Sequence, residues 1–173
     1  EAETIMNIGV ALKLQQRFPE ALEHMRRALA MDPHDASAHF NYATCLVAQD
    51  SHGTDDRDLA STHYRKALEL DPGHGDSRAN LARMLYFEAK ELARQDRASA
   101  IALEKLHEAI ASDPGFLEAH LGLAEMSYGM GDREVAIKHL RASLEIDPLH
   151  EQARGMLNEL LALEPVNVNL GQP

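Results

Sequence analysis

Apolar and small residues recur along the chain with the spacing of a helix. In each of four segments an alanine is followed four residues later by a bulkier apolar residue, and three residues after that by another small residue. The sets are Ala21, Met25 and Ala28; Ala60, Tyr64 and Ala67; Ala102, Leu106 and Ala109; and Ala136, Leu140 and Ser143. Spacings of four and three lie on one helical face. The pattern predicts four amphipathic helices whose small residues allow close packing.

A second helical pattern precedes each of these segments. It carries a large residue followed at once by a small one. The pairs are Ile8-Gly9, Tyr42-Ala43, Leu81-Ala82 and Leu123-Ala124, and in the first three a leucine follows four residues after the large residue, at Leu12, Leu46 and Leu85. The chain is therefore predicted to be a succession of helix pairs.

Each helix pair is predicted to end at an Asp-Pro dipeptide. Proline cannot continue a helix and disfavours helical geometry in the residue before it. The dipeptides are Asp32-Pro33, Asp71-Pro72, Asp113-Pro114 and Asp147-Pro148, so the prolines are 39, 42 and 34 residues apart. A recurring unit of this length is the signature of a helical repeat protein.

Over about residues 2–163 this set of positions resembles the tetratricopeptide repeat. The usual tryptophan is replaced by Ile5, His39, Arg78 and His120, and Ser127 stands where the other units have leucine; these replacements are expected to soften the packing locally. The resemblance implies an all-α, right-handed solenoid of antiparallel helix pairs. It implies a domain over residues 1–165, with repeats at about 2–35, 36–74, 75–116 and 117–150 and a capping helix at 150–163. Residues 165–173 are predicted to be an extended tail or linker.

Two units are longer than the standard 34 residues. The first insertion, around residues 50–56, is polar and rich in helix breakers, which predicts a longer loop with a capping residue for the next helix. The second, around residues 87–100, has no Gly or Pro. It predicts that both helices of the third pair are longer by about a turn and form a projecting hairpin.

Composition limits the partners. The net charge of −11 opposes binding to nucleic acid and to anionic lipid surfaces. No apolar run approaches the roughly 18 to 20 residues that span a bilayer. With one cysteine, Cys45, no intrachain disulfide can form, which favours a reducing, cytoplasmic location. Because the chain starts at Glu1 within a helical pattern, we expect it to be part of a longer protein.

Candidate catalytic and calcium-binding residues form no recognisable site in the sequence. His107-Glu108 begins the zinc-protease pattern HExxH, but Ala111 stands where the second histidine is required. The acidic cluster at residues 50–58 lacks the alternating ligands and terminal glutamate of a calcium loop. We therefore expect no enzyme activity and no cofactor.

Three of the ten histidines, His24, His63 and His139, recur at one repeat position. Equivalent positions in successive units are at least about 8 to 10 Å apart, whereas the ligands of one zinc ion lie about 2 Å from it. The three histidines are predicted to form a surface row without metal. Cys45 lies between core positions and is predicted to be a small buried hydrophobe.

In the tetratricopeptide fold the first helix of each unit lines a concave face. Two residues after the tryptophan-equivalent position stand Asn7, Asn41 and Asn80, with Gly122 in the fourth unit. This is similar to the asparagine ladder of O-linked N-acetylglucosamine transferase, where the amides hold the backbone of an extended peptide. A carboxamide offers both a donor and an acceptor, so it can pair with any peptide unit.

Other residues of the predicted concave face would form side-chain pockets, because three amide contacts of about 0.5 to 1.5 kcal/mol each fall short of the about 8 kcal/mol of a micromolar complex. The predicted peptide-binding residues besides the asparagines are Met6, Val10, Phe40, Thr44, Arg83, Tyr86, Phe87, Leu121, Glu125 and Tyr128. The alternative is that several of them pack against neighbouring helices and that the asparagines bond each other or water.

The acidic C-terminus of heat-shock chaperones is not an expected ligand. The tetratricopeptide clamp for it uses a lysine, two asparagines, a lysine and an arginine. The matching places hold Met6, Val10, Asn41, Asp76 and Asn80, so only Asn41 agrees and the positive charges are missing. The sequence thus predicts a scaffold for a protein or an extended peptide, either independent or as the recognition arm of a larger enzyme. The competing hypothesis is a self-association module that uses the long third hairpin, the last helix or the tail.

Overall fold

The computed structural model of the chain describes residues 1–49, 54–95 and 100–162. Over these ranges the secondary structure is helical, without strands. The helices are α1 (Ala2–Leu14), α2 (Phe18–Met31), α3 (Ala36–Ala48), α4 (Thr54–Leu70), α5 (Gly75–Gln95), α6 (Ala100–Ser112), α7 (Leu117–Gly129), α8 (Arg133–Ile146) and α9 (Glu151–Ala162). The most extensive contacts join α1 to α2, α3 to α4, and α7 to α8. The predicted all-α class is confirmed.

Contacts divide the chain into two compact units, Glu1–Met84 and Leu85–Pro173, with the boundary inside α5. A buried cluster lies within each unit. One core cluster of the first unit consists of Met6, Leu12, Ala21, Met25, Ala28, Ala38 and Cys45. One core cluster of the second consists of Leu121, Ala124, Ala136, Leu140, Ala153 and Leu160. Alanine is frequent in both, which brings the helix axes close together.

The repeated face of the second helices is buried as predicted. None of its twelve residues, from Ala21 to Ser143, is more than 2% exposed. Gly9 of α1 shows how closely the helices approach this face. A Cβ atom on Gly9 would lie 2.7 Å from Met25 Cγ and 3.1 Å from the carbonyl oxygen of Ala21. The small residues are thus required by the distance between α1 and α2.

The four Asp-Pro turns are built in the same way. Each aspartate donates its backbone N–H to the carbonyl four residues earlier, and its Oδ1 accepts from the backbone N–H two residues later. The carbonyls belong to Ala28, Ala67, Ala109 and Ser143, and the donors to Oδ1 are His34, Gly73, Gly115 and Leu149. The aspartate satisfies groups that the helix end leaves unpaired, while the proline stops the helix.

The third helix pair is lengthened on one side. α5 has 21 residues, whereas α6 has 13, so the extension expected for both helices falls on α5 in the described part of the chain. The first insertion is partly helical, because α4 begins at Thr54. Residues 50–53, and with them most of the predicted loop, lie outside the described residues. So does the predicted tail at 165–173.

α9 is held against α8 by side-chain burial and by one backbone contact. Ala153 and Leu160 are buried in the second core, and Met156 and Leu157 pack against it. Arg133 Nη2 donates to the carbonyl oxygen of Leu160 at 2.5 Å. This carbonyl belongs to the last turn of α9, where helical partners are missing. Among the described helices, none is long and apolar enough to cross a membrane.

Candidate functional site

The three asparagines of the predicted ladder lie in the first unit, on α1, α3 and α5. Asn7 is exposed, whereas Asn41 and Asn80 are half-buried. Asn80 is engaged within the protein, since its Oδ1 accepts a hydrogen bond from Arg83 Nη2 at 2.6 Å. Burial raises the pKa of the Tyr64 hydroxyl to about 12, and a hydrogen bond with Asn80 partly opposes that rise. Asn80 therefore supports the core side chain Tyr64.

Polar contacts tie α1 to α3 beside Asn41. Lys13 Nζ donates to Thr44 Oγ1 at 3.0 Å, and Thr44 Oγ1 donates to the carbonyl oxygen of Asn41 at 2.9 Å. Phe40 is half-buried, with its ring centroid 5.0 Å from that of His74 and 6.1 Å from that of Tyr64. Of the predicted pocket residues in this unit, Thr44 and Phe40 are thus partly committed to packing between helices.

The predicted binding residue Met6 is buried. Its side chain is 5% exposed and belongs to a core cluster of the first unit, with Val10 packed against that cluster. Their register in the first helix of the unit places both residues on the predicted concave face, with packing against neighbouring helices as the alternative.

The second unit contains a groove of about 400 Å³ lined by residues of α5, α6 and α7 and by the start of α9. Its apolar lining comes from Tyr86, Leu106, Leu117 and Leu121, and its polar rim from Lys90, Glu118, Glu125, His150 and Gln152. Three of these residues, Tyr86, Leu121 and Glu125, are predicted peptide-binding residues. The structure brings them together around one depression.

Several lining residues contact one another or a neighbouring side chain. The Tyr86 ring meets Phe116 edge-on at a centroid distance of 5.7 Å, and Lys90 Nζ lies 5.7 Å from the Tyr86 centroid. Glu125 accepts a hydrogen bond from Gln152 Nε2 at 2.6 Å. The predicted residues Phe87 and Tyr128 are exposed and are not among the residues that line this groove.

The predicted surface row of histidines is wrong. His139 is 7% exposed, His63 is half-buried, and His24 is half-buried with its Nδ1 atom inaccessible to solvent. His63 and His139 each meet a histidine in the tryptophan-equivalent position of the same repeat. The Nδ1–Nδ1 distance is 2.8 Å for His39 and His63 and 3.0 Å for His120 and His139. Sequence reasoning had noted both sets of histidines but had not paired them.

The tryptophan-equivalent residue also reaches the preceding Asp-Pro turn. In three repeats a side-chain nitrogen lies within hydrogen-bond distance of the proline carbonyl oxygen six residues earlier. The pairs are His39 Nε2 with Pro33 O at 3.1 Å, Arg78 Nη2 with Pro72 O at 2.8 Å, and His120 Nε2 with Pro114 O at 3.2 Å. Hydrogen bonds thus replace at these three positions the packing that tryptophan would supply.

Helix pairs that repeat the same small-residue face and the same Asp-Pro turn define an α-helical repeat protein with an open binding face. The profile of the tetratricopeptide repeat matches residues 12–52 and 91–160, more than half of the chain. The chain belongs to the tetratricopeptide repeat family. Members of this family generally mediate interactions between proteins.

Similar proteins agree with this family at the level of the fold. The C-terminal part of a TPR repeat-containing protein from Cytophaga hutchinsonii superposes with a TM-score of 0.65 at 18% identity, covering 90% of this chain and 60% of that one. MamA from Desulfovibrio magneticus RS-1 gives a TM-score of 0.56 at 19% identity, with coverage of 93% and 84%. These identities show a common fold and no more.

A curated relative is the DnaJ protein P58IPK homolog of Arabidopsis thaliana. It is 28% identical over 120 residues, which cover 59% of this chain and 24% of that protein. The matched region is thus about a quarter of the length of the relative.

Proposed function

We propose that the protein is a cytoplasmic interaction scaffold that binds an extended peptide or a segment of a partner protein along its first helices. The observation that carries the proposal is the groove of the second unit. It combines an apolar floor with charged groups of both signs at its rim, Lys90 on one side and Glu118 and Glu125 on the other. Its volume of about 400 Å³ is in the range of small ligand pockets.

We also propose that amides of the first unit bind the backbone of an extended peptide, as a site of that unit alone. Asn7 is exposed and Asn41 is half-buried, so both amides lie near the surface of the first helices. Asn80 forms hydrogen bonds with Arg83 and Tyr64 within the protein, so it would contribute less to ligand binding. Two or three amides supply only a few kcal/mol. The apolar groove of the second unit would bind its ligand more strongly, since apolar burial contributes about 25 cal/mol per Å².

Exchange of Asn7 and Asn41 to alanine should weaken ligand capture about tenfold and leave the melting temperature nearly unchanged. Each amide contributes about 0.5 to 1.5 kcal/mol of net hydrogen bonding, and a factor of ten corresponds to about 1.4 kcal/mol. The measurement is affinity capture from native lysate with identification by mass spectrometry, followed by titration of the recovered partner. Asn80 is left intact because its loss would also remove a contact to buried Tyr64.

The matched control for this double variant is Asn158→Ala, an exposed asparagine on α9 away from the groove lining. It should retain every partner at full affinity. Charge reversal at the rim of the second-unit groove, by Glu125→Lys, should release the partners that this groove binds. Partners retained by both the double asparagine variant and Glu125→Lys would place binding elsewhere and contradict the proposal.

Self-association is the second candidate function, and one observation favours it. Phe87 of α5 and Ile101 of α6 are each 56% exposed, on the two helices of the long third pair. Exposed apolar side chains on neighbouring helices are typical of interaction surfaces. In this alternative a second copy of the chain covers both residues.

If the chain self-associates through these residues, the double exchange Phe87→Ser and Ile101→Ser should convert a concentration-dependent dimer into a monomer. Sedimentation velocity over a hundredfold range of concentration would show this as a constant sedimentation coefficient. The control is Leu149→Ser, which alters an exposed apolar residue outside the third pair. A native chain that is monomeric at all concentrations would exclude this alternative.

A further inference from the structure

The groove of the second unit has two adjoining compartments. The tyrosine compartment is the depression of about 400 Å³ that Tyr86 lines. Beside it lies the methionine compartment, with a volume of about 720 Å³, whose lining includes Met126 and Met130. The two compartments share the lining residues Lys90, Ala93, Glu125 and Met126. The groove therefore runs along α5 and α7 towards the C-terminal ends of these helices.

Two methionines supply apolar surface to the methionine compartment. Met126 and Met130 are four residues apart at the end of α7, so they lie on one side of that helix. Met126 is half-buried, whereas Met130 is 50% exposed. The methionine side chain is unbranched and polarizable and adapts to the shape of what it packs against. The compartment is therefore suited to a long apolar side chain and does not select a single shape.

Gly129 leaves space in the methionine compartment that a side chain would take. It is the last residue of α7 and lines the compartment, and a Cβ atom at this position would meet no atom within 4 Å. At Gly122 in the tyrosine compartment, by contrast, a Cβ atom would lie 3.2 Å from Leu106 and 3.4 Å from Tyr86. A larger residue at position 129 would thus occupy the compartment without displacing a packed side chain.

Two cations lie on the α5 side of the methionine compartment. Lys90 and Arg94 are four residues apart on α5, and both line it. Lys90 Nζ lies 5.7 Å from the centroid of the Tyr86 ring. Arg94 Nη1 is paired with Glu91 Oε1 at 2.6 Å, and both of these side chains are more than half exposed. Since an exposed pair of this kind contributes little free energy, a ligand carboxylate can replace Glu91.

Carboxylates lie on the α7 side of the groove. Glu118 lines the tyrosine compartment, and Glu125 lies where the two compartments meet. A carboxylate of a ligand is attracted by Lys90 and Arg94 and repelled by Glu118, so the methionine compartment is the favoured end for it. The distribution of charge therefore gives the groove a direction.

We propose that the occupant of the groove is a protein segment with a long apolar residue in the methionine compartment and a neighbouring Asp or Glu held by Lys90 and Arg94. The tyrosine compartment, with Glu118 at its rim, takes a part of the segment that carries no acidic residue. Apolar burial holds the segment, and the charge pairing sets its orientation. The inference rests on the proposed function of the second-unit groove and names the chemistry of its partner.

The test begins with a phage-displayed library of random peptides selected on the native chain. The enriched peptides should combine Leu, Met, Ile or Phe with a nearby Asp or Glu, because the methionine compartment accepts apolar side chains of several shapes. Lys and Arg should be depleted beside the apolar residue, since Lys90 and Arg94 repel them. Enrichment of apolar residues without a nearby acid would overturn the inference.

Two variants then locate the binding of an enriched peptide, measured by fluorescence anisotropy with a labelled synthetic copy. Gly129→Leu should abolish binding, because the added side chain occupies the methionine compartment. Arg94→Glu should weaken binding by about tenfold, since it reverses one of the two charges that hold the carboxylate. The matched controls are Gly155→Leu and Arg154→Glu, at exposed positions of α9 outside both linings, and they should keep the native affinity.

Peptides that bind Gly129→Leu and Arg94→Glu as tightly as the native chain would overturn the inference. If their affinity still changes in Glu125→Lys, which alters both compartments, they bind the groove and the proposed function stands. A selection on the native chain that enriches no peptide would contradict both. Because the Arg94 side chain is 65% exposed, its replacement keeps the test decisive if Gly129→Leu does not fold.

Discussion

Replacing Leu140 by alanine should lower the free energy of unfolding by about 2 to 5 kcal/mol, the usual cost of a large cavity in a packed core. Leu140 is fully buried on α8 and belongs to the core cluster that includes Ala136 and Leu160. The neighbouring alanines have no rotamers with which to fill the space, so the cavity should persist. Urea denaturation followed by circular dichroism measures the change.

The control for this variant is Leu149→Ala, which removes the same atoms from a side chain that is 76% exposed. Its effect should stay within about 0.5 kcal/mol, as for other surface substitutions. Equal losses for the two variants would show that Leu140 does not lie in a core of this kind.

Gly9→Ala should lower the free energy of unfolding by about 1 to 3 kcal/mol, the range for overpacking, even though alanine is the better helix former. The new Cβ would lie 2.7 Å from Met25 Cγ and 3.1 Å from the carbonyl oxygen of Ala21. Met25 is fully buried and the carbonyl is part of α2, so relief requires α1 to move away from α2. The same denaturation measurement applies.

Gly155→Ala is the matched substitution with the opposite expected sign. Gly155 lies within α9, and a Cβ there would meet nothing within 4 Å. The exchange should raise stability by about 0.5 to 1 kcal/mol through helix propensity alone. Two changes of the same sign would contradict the close approach of α1 to α2.

The helix pairs and their turns could be predicted because each depends on residues that lie close together in the sequence. Proline excludes helix wherever it stands, and the spacing of Ala21, Met25 and Ala28 identifies a buried face without knowledge of its partner. Since the same pattern occurs four times, chance agreement at one position does not matter. The fold and its family are therefore recoverable from the residues.

The site was less predictable because it depends on which residues meet. Met6 and Asn7 are adjacent in sequence and on neighbouring parts of one helix, yet one is buried and the other exposed. The pairing of His39 with His63 spans 24 residues and two helices. The sequence predicts a surface row rather than a metal site for the histidines, and only the short Nδ1–Nδ1 distances showed that the rings contact each other in pairs.

Arg78 distinguishes the Asp71-Pro72 turn from the two turns at which a histidine contacts the proline carbonyl. Its guanidinium donates to the Pro72 carbonyl oxygen at 2.8 Å and offers no acceptor, so this contact has one possible direction. Histidine at the same position contacts a second histidine as well as the proline carbonyl, as His39 does with His63 and Pro33. The side chain at the tryptophan-equivalent position therefore decides how the preceding turn is held in these three repeats, while the packed faces of the helices stay the same.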